Sequence, residues 1–150
     1  MQAASDIRKN AEDAFASGLY CAESVVFSLA RAQGIESDLL TRMATGFCGG
    51  MARSCGTCGA LTGAIMGIGI GLGRAKSGDS VKDAYAGTQR LIREFEQAFG
   101  ARDCHVLLGC DLGTPEGQAK FREQQLAERC IGYTGKAAEI AATILQEQRA

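Results

Sequence analysis

Apolar positions recur along the chain mostly at helical spacing. Ala4, Ile7, Ala11, Ala14 and Phe15 share one stripe and predict a first helix. Ala22, Val25, Val26, Leu29 and Ala30 predict a second, with Gly34 as its stop. Ser37 or Asp38 can cap a third, whose apolar face would be Leu39, Leu40, Met43 and Phe47. The pattern is clearest from Ser80 to Phe99, where Val81, Ala84, Tyr85, Thr88, Leu91, Ile92, Phe95 and Phe99 line up. Ser80 with Asp83 resembles a capping box, and Gly100 suits the position after the helix. A short helix is expected over Cys104–Leu108, ended by Gly109. Thr114-Pro115-Glu116 opens another to about Arg129, because proline is favoured at a first helical position. A last helix, from Thr134 to about Gln148, would bury Ala137, Ile140, Ala141, Ile144 and Leu145.

One segment carries a different pattern. From Ser54 to Gly73 no residue is charged over 20 positions. Alternation of Gly67, Gly69, Gly71 and Gly73 with Ile68, Ile70 and Leu72 has the period of a strand, but a lone strand is not a stable unit. As a helix over roughly 57–73, Gly59, Gly63, Gly67 and Gly71 fall at i, i+4 and form a ridge without side chains. Such a ridge lets another backbone approach closely, which can offset the roughly 1 kcal/mol that each glycine costs a helix. The length could span a bilayer, yet the glycines hold its hydropathy down and no second span accompanies it, so no membrane span is expected. The fold class that results is all-α. A single domain, 1–150, holds about six to seven helices around this central glycine-rich helix. Packing between copies through the ridge would make a homo-oligomer.

Charge narrows the function. The 16 Lys and Arg against 17 Asp and Glu leave a net charge of −1, without the cationic excess that nucleic acid demands. The segment also contains no phosphate-loop pattern. The opening MQAASDIRKNAEDAFASG mixes charges and has no apolar stretch of signal-peptide kind, so the expected compartment is the reducing cytoplasm.

Chemistry is concentrated in seven cysteines, beside a single histidine, His105. Cys48, Cys55 and Cys58 lie in one glycine-rich loop, and Cys55-Gly-Thr-Cys58 is a CxxC unit at a helix start. There, unpaired N–H groups and the helix dipole stabilise a thiolate, and Arg53 acts in the same direction. The spacing suits a reversible dithiol or two ligands to one metal. Cys21 opens the second helix, Cys104 the short helix, and Cys130 sits at the junction before the last one, so several helix termini can each offer a thiol to a common centre. Cys110 follows the Gly109 stop; it, Cys48 and His105 receive no role from their positions. No Cys-x-x-Cys-His is present, which excludes covalent haem attachment of that type.

These residues carry a resemblance. Cys58-Gly59-Ala60-Leu61-Thr62-Gly63 matches the central signature of the C-GCAxxG-C-C family, a group associated with redox activity. Cys21 in Cys-Ala-Glu-Ser, Cys104 in Asp-Cys-His-Val-Leu-Leu-Gly, and Cys130 before the terminal helix match its other three cysteines, so the likeness runs over nearly the whole chain. The resemblance implies a multi-cysteine redox site: an iron–sulfur cluster for electron transfer to a partner protein, with Cys21, Cys58, Cys104 and Cys130 as ligands and Cys55 as a substitute. Two further readings stand beside it. One is a dithiol/disulfide oxidoreductase using Cys55 and Cys58. The other is a module binding zinc or another soft metal, or a structural module without cofactor. Cys48, Cys55 and Cys110 are additions of this chain to the family pattern.

Overall fold

The computed structural model describes residues 1–149. Among them eight right-handed helices form, and no strand. They are α1 (Ala4–Ala16), α2 (Cys21–Ala32), α3 (Asp38–Ala44), α4 (Gly59–Leu72), α5 (Lys82–Phe99), α6 (Cys104–Leu108), α7 (Pro115–Glu123) and α8 (Ala127–Arg149). None is long and apolar enough to cross a membrane.

The centre is a layer made by α2, α4 and α8, flanked by α1 on one side and α5 on the other. Small residues decide how close these helices come. A side chain on Gly63 would stand 2.6 Å from the Ala22 carbonyl oxygen, and one on Gly67 would run into Leu29. The ridge on α4 is thus filled by α2 of the same chain. On α8, Ala137, Ala138, Ala141 and Ala142 are all fully buried and present an equally bare surface. Around them Ile7, Leu29, Leu61, Ile68, Leu91, Phe95, Ile144 and Leu145 complete the core, each contributing roughly 1.5–3 kcal/mol by leaving water. Arg8 of α1 bridges Glu12 and Glu139, and Arg90 of α5 bridges Glu94 and Glu147, tying both flanking helices to α8 at the surface. Half-exposed pairs of this kind add at most about 1 kcal/mol each.

Several expectations hold to the residue. Ser37 caps α3, accepting from the Leu39 N–H, Gly100 and Gly109 take left-handed conformations after α5 and α6, and Thr114 caps α7 ahead of Pro115. Others are corrected. The apolar face expected of α3 is only half a core face: Leu40 and Phe47 pack against the core, whereas Leu39 and Met43 are over 60% exposed. Tyr85 on α5 is likewise turned outward. That helix begins at Lys82, with Ser80 Oγ accepting the Lys82 N–H in place of a capping box. The helix opened by Pro115 stops at Glu123, because Gln125 adopts a left-handed φ of 53° and Leu126 turns inward. The last helix starts at Ala127, so Cys130 lies within its first turns and not in a junction.

The loop before α4 contains a feature that no periodicity announces. Five consecutive residues, 49–53, have positive φ, from 55° to 72°, and Cys55 follows at 63°. Ala52, Arg53 and Ser54 donate N–H bonds to the carbonyls of Cys48, Gly49 and Gly50 at 3.0, 3.1 and 3.2 Å. Bonds from each residue to the fourth before it, at positive φ, make this one turn of left-handed α-helix. Met51, Ala52 and Arg53 each carry a Cβ there, at roughly 1–2 kcal/mol apiece. Ala52→Gly is therefore expected to hold or raise the melting temperature, since the strain removed matches or exceeds the added freedom of the unfolded chain. A clearly lowered melting temperature would show that Ala52 is not left-handed in the native state.

Candidate functional site: a cavity floored by cysteines

A cavity of about 580 Å³ opens between α2, the left-handed turn, α6, α7 and the start of α8. Cys21, Cys48, Cys58, Cys104 and Cys130 all line it. The first four are buried, Cys130 is half-buried, and none of the seven cysteines forms a disulfide.

Each thiol arrives by a separate device. Cys21 is the first residue of α2, where the Glu23 carboxylate accepts the Tyr20 N–H at 2.9 Å and in turn accepts Thr45 Oγ1 at 2.7 Å. Those two bonds fix the start of α2 against the loop after α3. Gly59 lets α4 close on that point, since a side chain there would meet the Cys21 sulfur at 2.4 Å. Cys58 is the residue before α4, and its N–H donates to the Arg102 carbonyl at 2.7 Å. Cys104, first in α6, donates its N–H to the Gly56 carbonyl at 2.9 Å, with Thr57 and Asp103 forming an antiparallel bridge between these bonds. That short pairing brings Cys58 and Cys104 to the same place. Cys130 is carried in by the early start of α8, beside Leu126 in a small apolar cluster that also holds Cys104.

The electrostatics divide the thiols. The Cys48 thiol neighbours the Cys21 sulfur, as do the N–H groups of Gly49 and Ala22. Together they outweigh burial and lower Cys21 to about 7. Cys48 is raised, by its neighbour Cys21 first and by burial second, and its thiol donates to the Ala44 carbonyl oxygen at 3.6 Å. Burial raises Cys58, and pushes Cys104 and Cys130 up to about 12, with the charge of Cys21 adding in all three. Several thiolates in one apolar cavity repel one another, and cations among them would relieve that repulsion. In metal-free protein, Cys21 alkylation is expected to rise with pH about a midpoint near 7. Cys48→Ala removes the neighbour that most favours the Cys21 thiolate, so the midpoint should move upward; an unmoved midpoint would refute the coupling of the two thiols.

The four cysteines expected from the sequence as ligands thus meet in one cavity. Cys55 does not join them. It is half-buried, does not line the cavity, and is raised by burial and by the negative charge of Asp111 nearby. The two halves of the CxxC unit therefore face different surroundings. Cys110 packs in the apolar cluster with Cys104 and Cys130 without reaching the cavity wall, and His105 is exposed on α6. Cys48 is the site residue that spacing missed. Its signal was the Gly49-Gly50 pair, which starts the left-handed turn and delivers the Gly49 N–H to Cys21. No three His, Cys, Asp or Glu side chains among the described residues converge closely enough to hold a single metal ion.

Comparison with known proteins identifies the family. A family model described as "Putative redox-active protein (C_GCAxxG_C_C)" matches residues 19–144, a span that includes all four converging cysteines. Neither the curated proteins nor the solved structures yield a match. With most of its length matched, and the signature cysteines gathered from four helix starts into one cavity, the chain belongs to the C_GCAxxG_C_C family of redox-active proteins.

Proposed function

We propose that this is an electron-transfer protein whose Cys21, Cys58, Cys104 and Cys130 thiolates hold an iron–sulfur cluster. The observation that supports the reading is the presence of four unpaired thiols, from four helix starts, on the wall of one cavity. Four cysteine thiolates are the usual ligand set of such clusters, and the soft sulfur donors favour iron–sulfur over hard cations. When bound, the cluster supplies one-electron chemistry. The chain's own residues supply the rest. N–H groups of Ala22 and Gly49 at Cys21, and of Ala60 at Cys58, place positive dipole ends against ligand sulfurs. Leu107, Leu108 and Phe121 in the wall limit water around them.

The spacing of the donors also bears on the other readings. A tetrahedral zinc ion needs its sulfurs about 2.3 Å from one point, whereas a polynuclear centre keeps its ligands further apart. A Cys55–Cys58 dithiol gains no support from their separate surroundings. Seven free thiols accord with a reducing compartment, the cytoplasm.

Anaerobic reconstitution with ferrous iron and sulfide tests the reading. Bound iron and sulfide with visible absorption are expected, lost when Cys21, Cys58, Cys104 or Cys130 is replaced by Ser and retained in Cys55→Ser and Cys110→Ser. A colourless protein that takes up no iron would refute it.

A further inference from the structure

The thiols that line the cavity are buried or half-buried, whereas other lining residues are exposed and have a chemistry of their own. The whole cavity, the cysteine-walled part included, measures about 580 Å³, within the range of pockets that take small organic molecules. Phe15, Leu112, Phe121 and Tyr133 give it half-buried apolar and aromatic walls. No Asp or Glu lines it, whereas two arginines do, Arg53 and Arg122, both exposed at the edge. Neither Arg53 nor Arg122 has a carboxylate partner among the described residues, a condition shared by most arginines of the chain, so it is their place on the cavity lining that sets them apart.

Arg53 is also placed with effort. It ends the left-handed turn at φ 65°, its side chain lies over Gly49, and a side chain on Gly113 would meet its carbonyl oxygen at 2.6 Å. A strained arginine held by packing on two sides, at the mouth of a pocket, is the kind of strain that persists where position matters.

We propose that the exposed part of the cavity binds a small organic anion with a flat apolar body, its acidic group held by Arg53 and Arg122 and its body against the aromatic wall, facing the cysteines. This reading goes beyond the cluster and does not require it, because the rim is built by residues that are not ligands. The guanidinium fork suits a carboxylate or sulfonate, and a flat body fits the half-buried rings.

The test is a fluorescence titration of the full chain, metal-free and reconstituted, with anilinonaphthalenesulfonate and with phenylnaphthylamine, its near-isostere lacking the sulfonate. The anion should bind the more tightly. Arg53→Gly removes the guanidinium while relieving the left-handed strain, so folding is preserved; Arg122→Gln provides a second variant at an unstrained helical position. Each should weaken the anion about tenfold and leave the neutral probe within about twofold. Saturating anion should also slow alkylation of Cys130 in the metal-free protein and leave Cys110 unchanged. The proposal is overturned if the two probes bind alike, if both variants leave anion affinity intact, or if Cys130 is not protected. Because the metal-free arm stands alone, loss of the cluster reading would not mimic loss of this one.

Discussion

Gly63→Ala is expected to destabilise the protein by on the order of 2 kcal/mol, although alanine is the better helix former. Its methyl group would lie 2.6 Å from the Ala22 carbonyl oxygen and 2.9 Å from the Ala22 Cα. Neither atom belongs to a flexible side chain, so α2 and α4 must separate along their whole contact. The separation would also displace Cys21, one residue before Ala22, and weaken iron retention. Gly69→Ala is the control on the same helix. It is exposed, nothing stands within 4 Å of the added carbon, and a gain of about 0.5–1 kcal/mol is expected. Urea unfolding of the pair reads both values. Equal effects would mean that the ridge does not set the distance between these helices.

The second large effect is expected at Gly50. Here φ is +72°, and a Cβ would fall 2.4 Å from the Cys104 Cβ and 2.9 Å from the Gly56 carbonyl oxygen. Gly50→Ala therefore adds left-handed strain to a clash with the Cys104 side chain and with the bond from its N–H to the Gly56 carbonyl. Gly49→Ala shares the handedness, at φ +71°, but meets only the Arg53 side chain, at 3.2 Å. It should lose about 1–2 kcal/mol, the strain alone. Gly50→Ala should lose at least twice that and should bind little iron even where it folds. If the two variants lose equal stability and keep equal iron, the turn does not position Cys104.

Much of this architecture was legible because helix signals are local. Ser37, Gly100, Gly109, Thr114 and Pro115 act through their own backbones, and the structure keeps each of them in its expected place. The glycine ridge was also readable, because spacing at i, i+4 has one geometric meaning on a helix. What escaped depended on tertiary context. Leu39 and Met43 have helical spacing, but only the packing of α3 determines which of its faces is covered. Gln125 has no intrinsic left-handed preference, so the break between α7 and α8, and with it the helical place of Cys130, left no mark.

The site divides in the same way. Cys21, Cys58 and Cys104 sit at helix starts that caps and glycines reveal. Cys48 enters the cavity only because residues 49–53 wind left-handed. Met51, Ala52 and Arg53 are ordinary right-handed residues held in that turn by contacts around Gly50 and Gly113. The rim arginines were invisible as a pair, since Arg53 and Arg122 meet the same cavity only after α7 folds over the loop.

The proposed polynuclear centre rests on four particular thiols, Cys21, Cys58, Cys104 and Cys130. Iron K-edge X-ray absorption of the anaerobically reconstituted protein addresses it most directly, because the technique reports both the atoms bound to iron and any second iron nearby. The account predicts an all-sulfur first shell with a clear iron–iron contribution, both lost in Cys58→Ser. A first shell of nitrogen and oxygen, iron without an iron neighbour, or a spectrum unchanged by Cys58→Ser would contradict it.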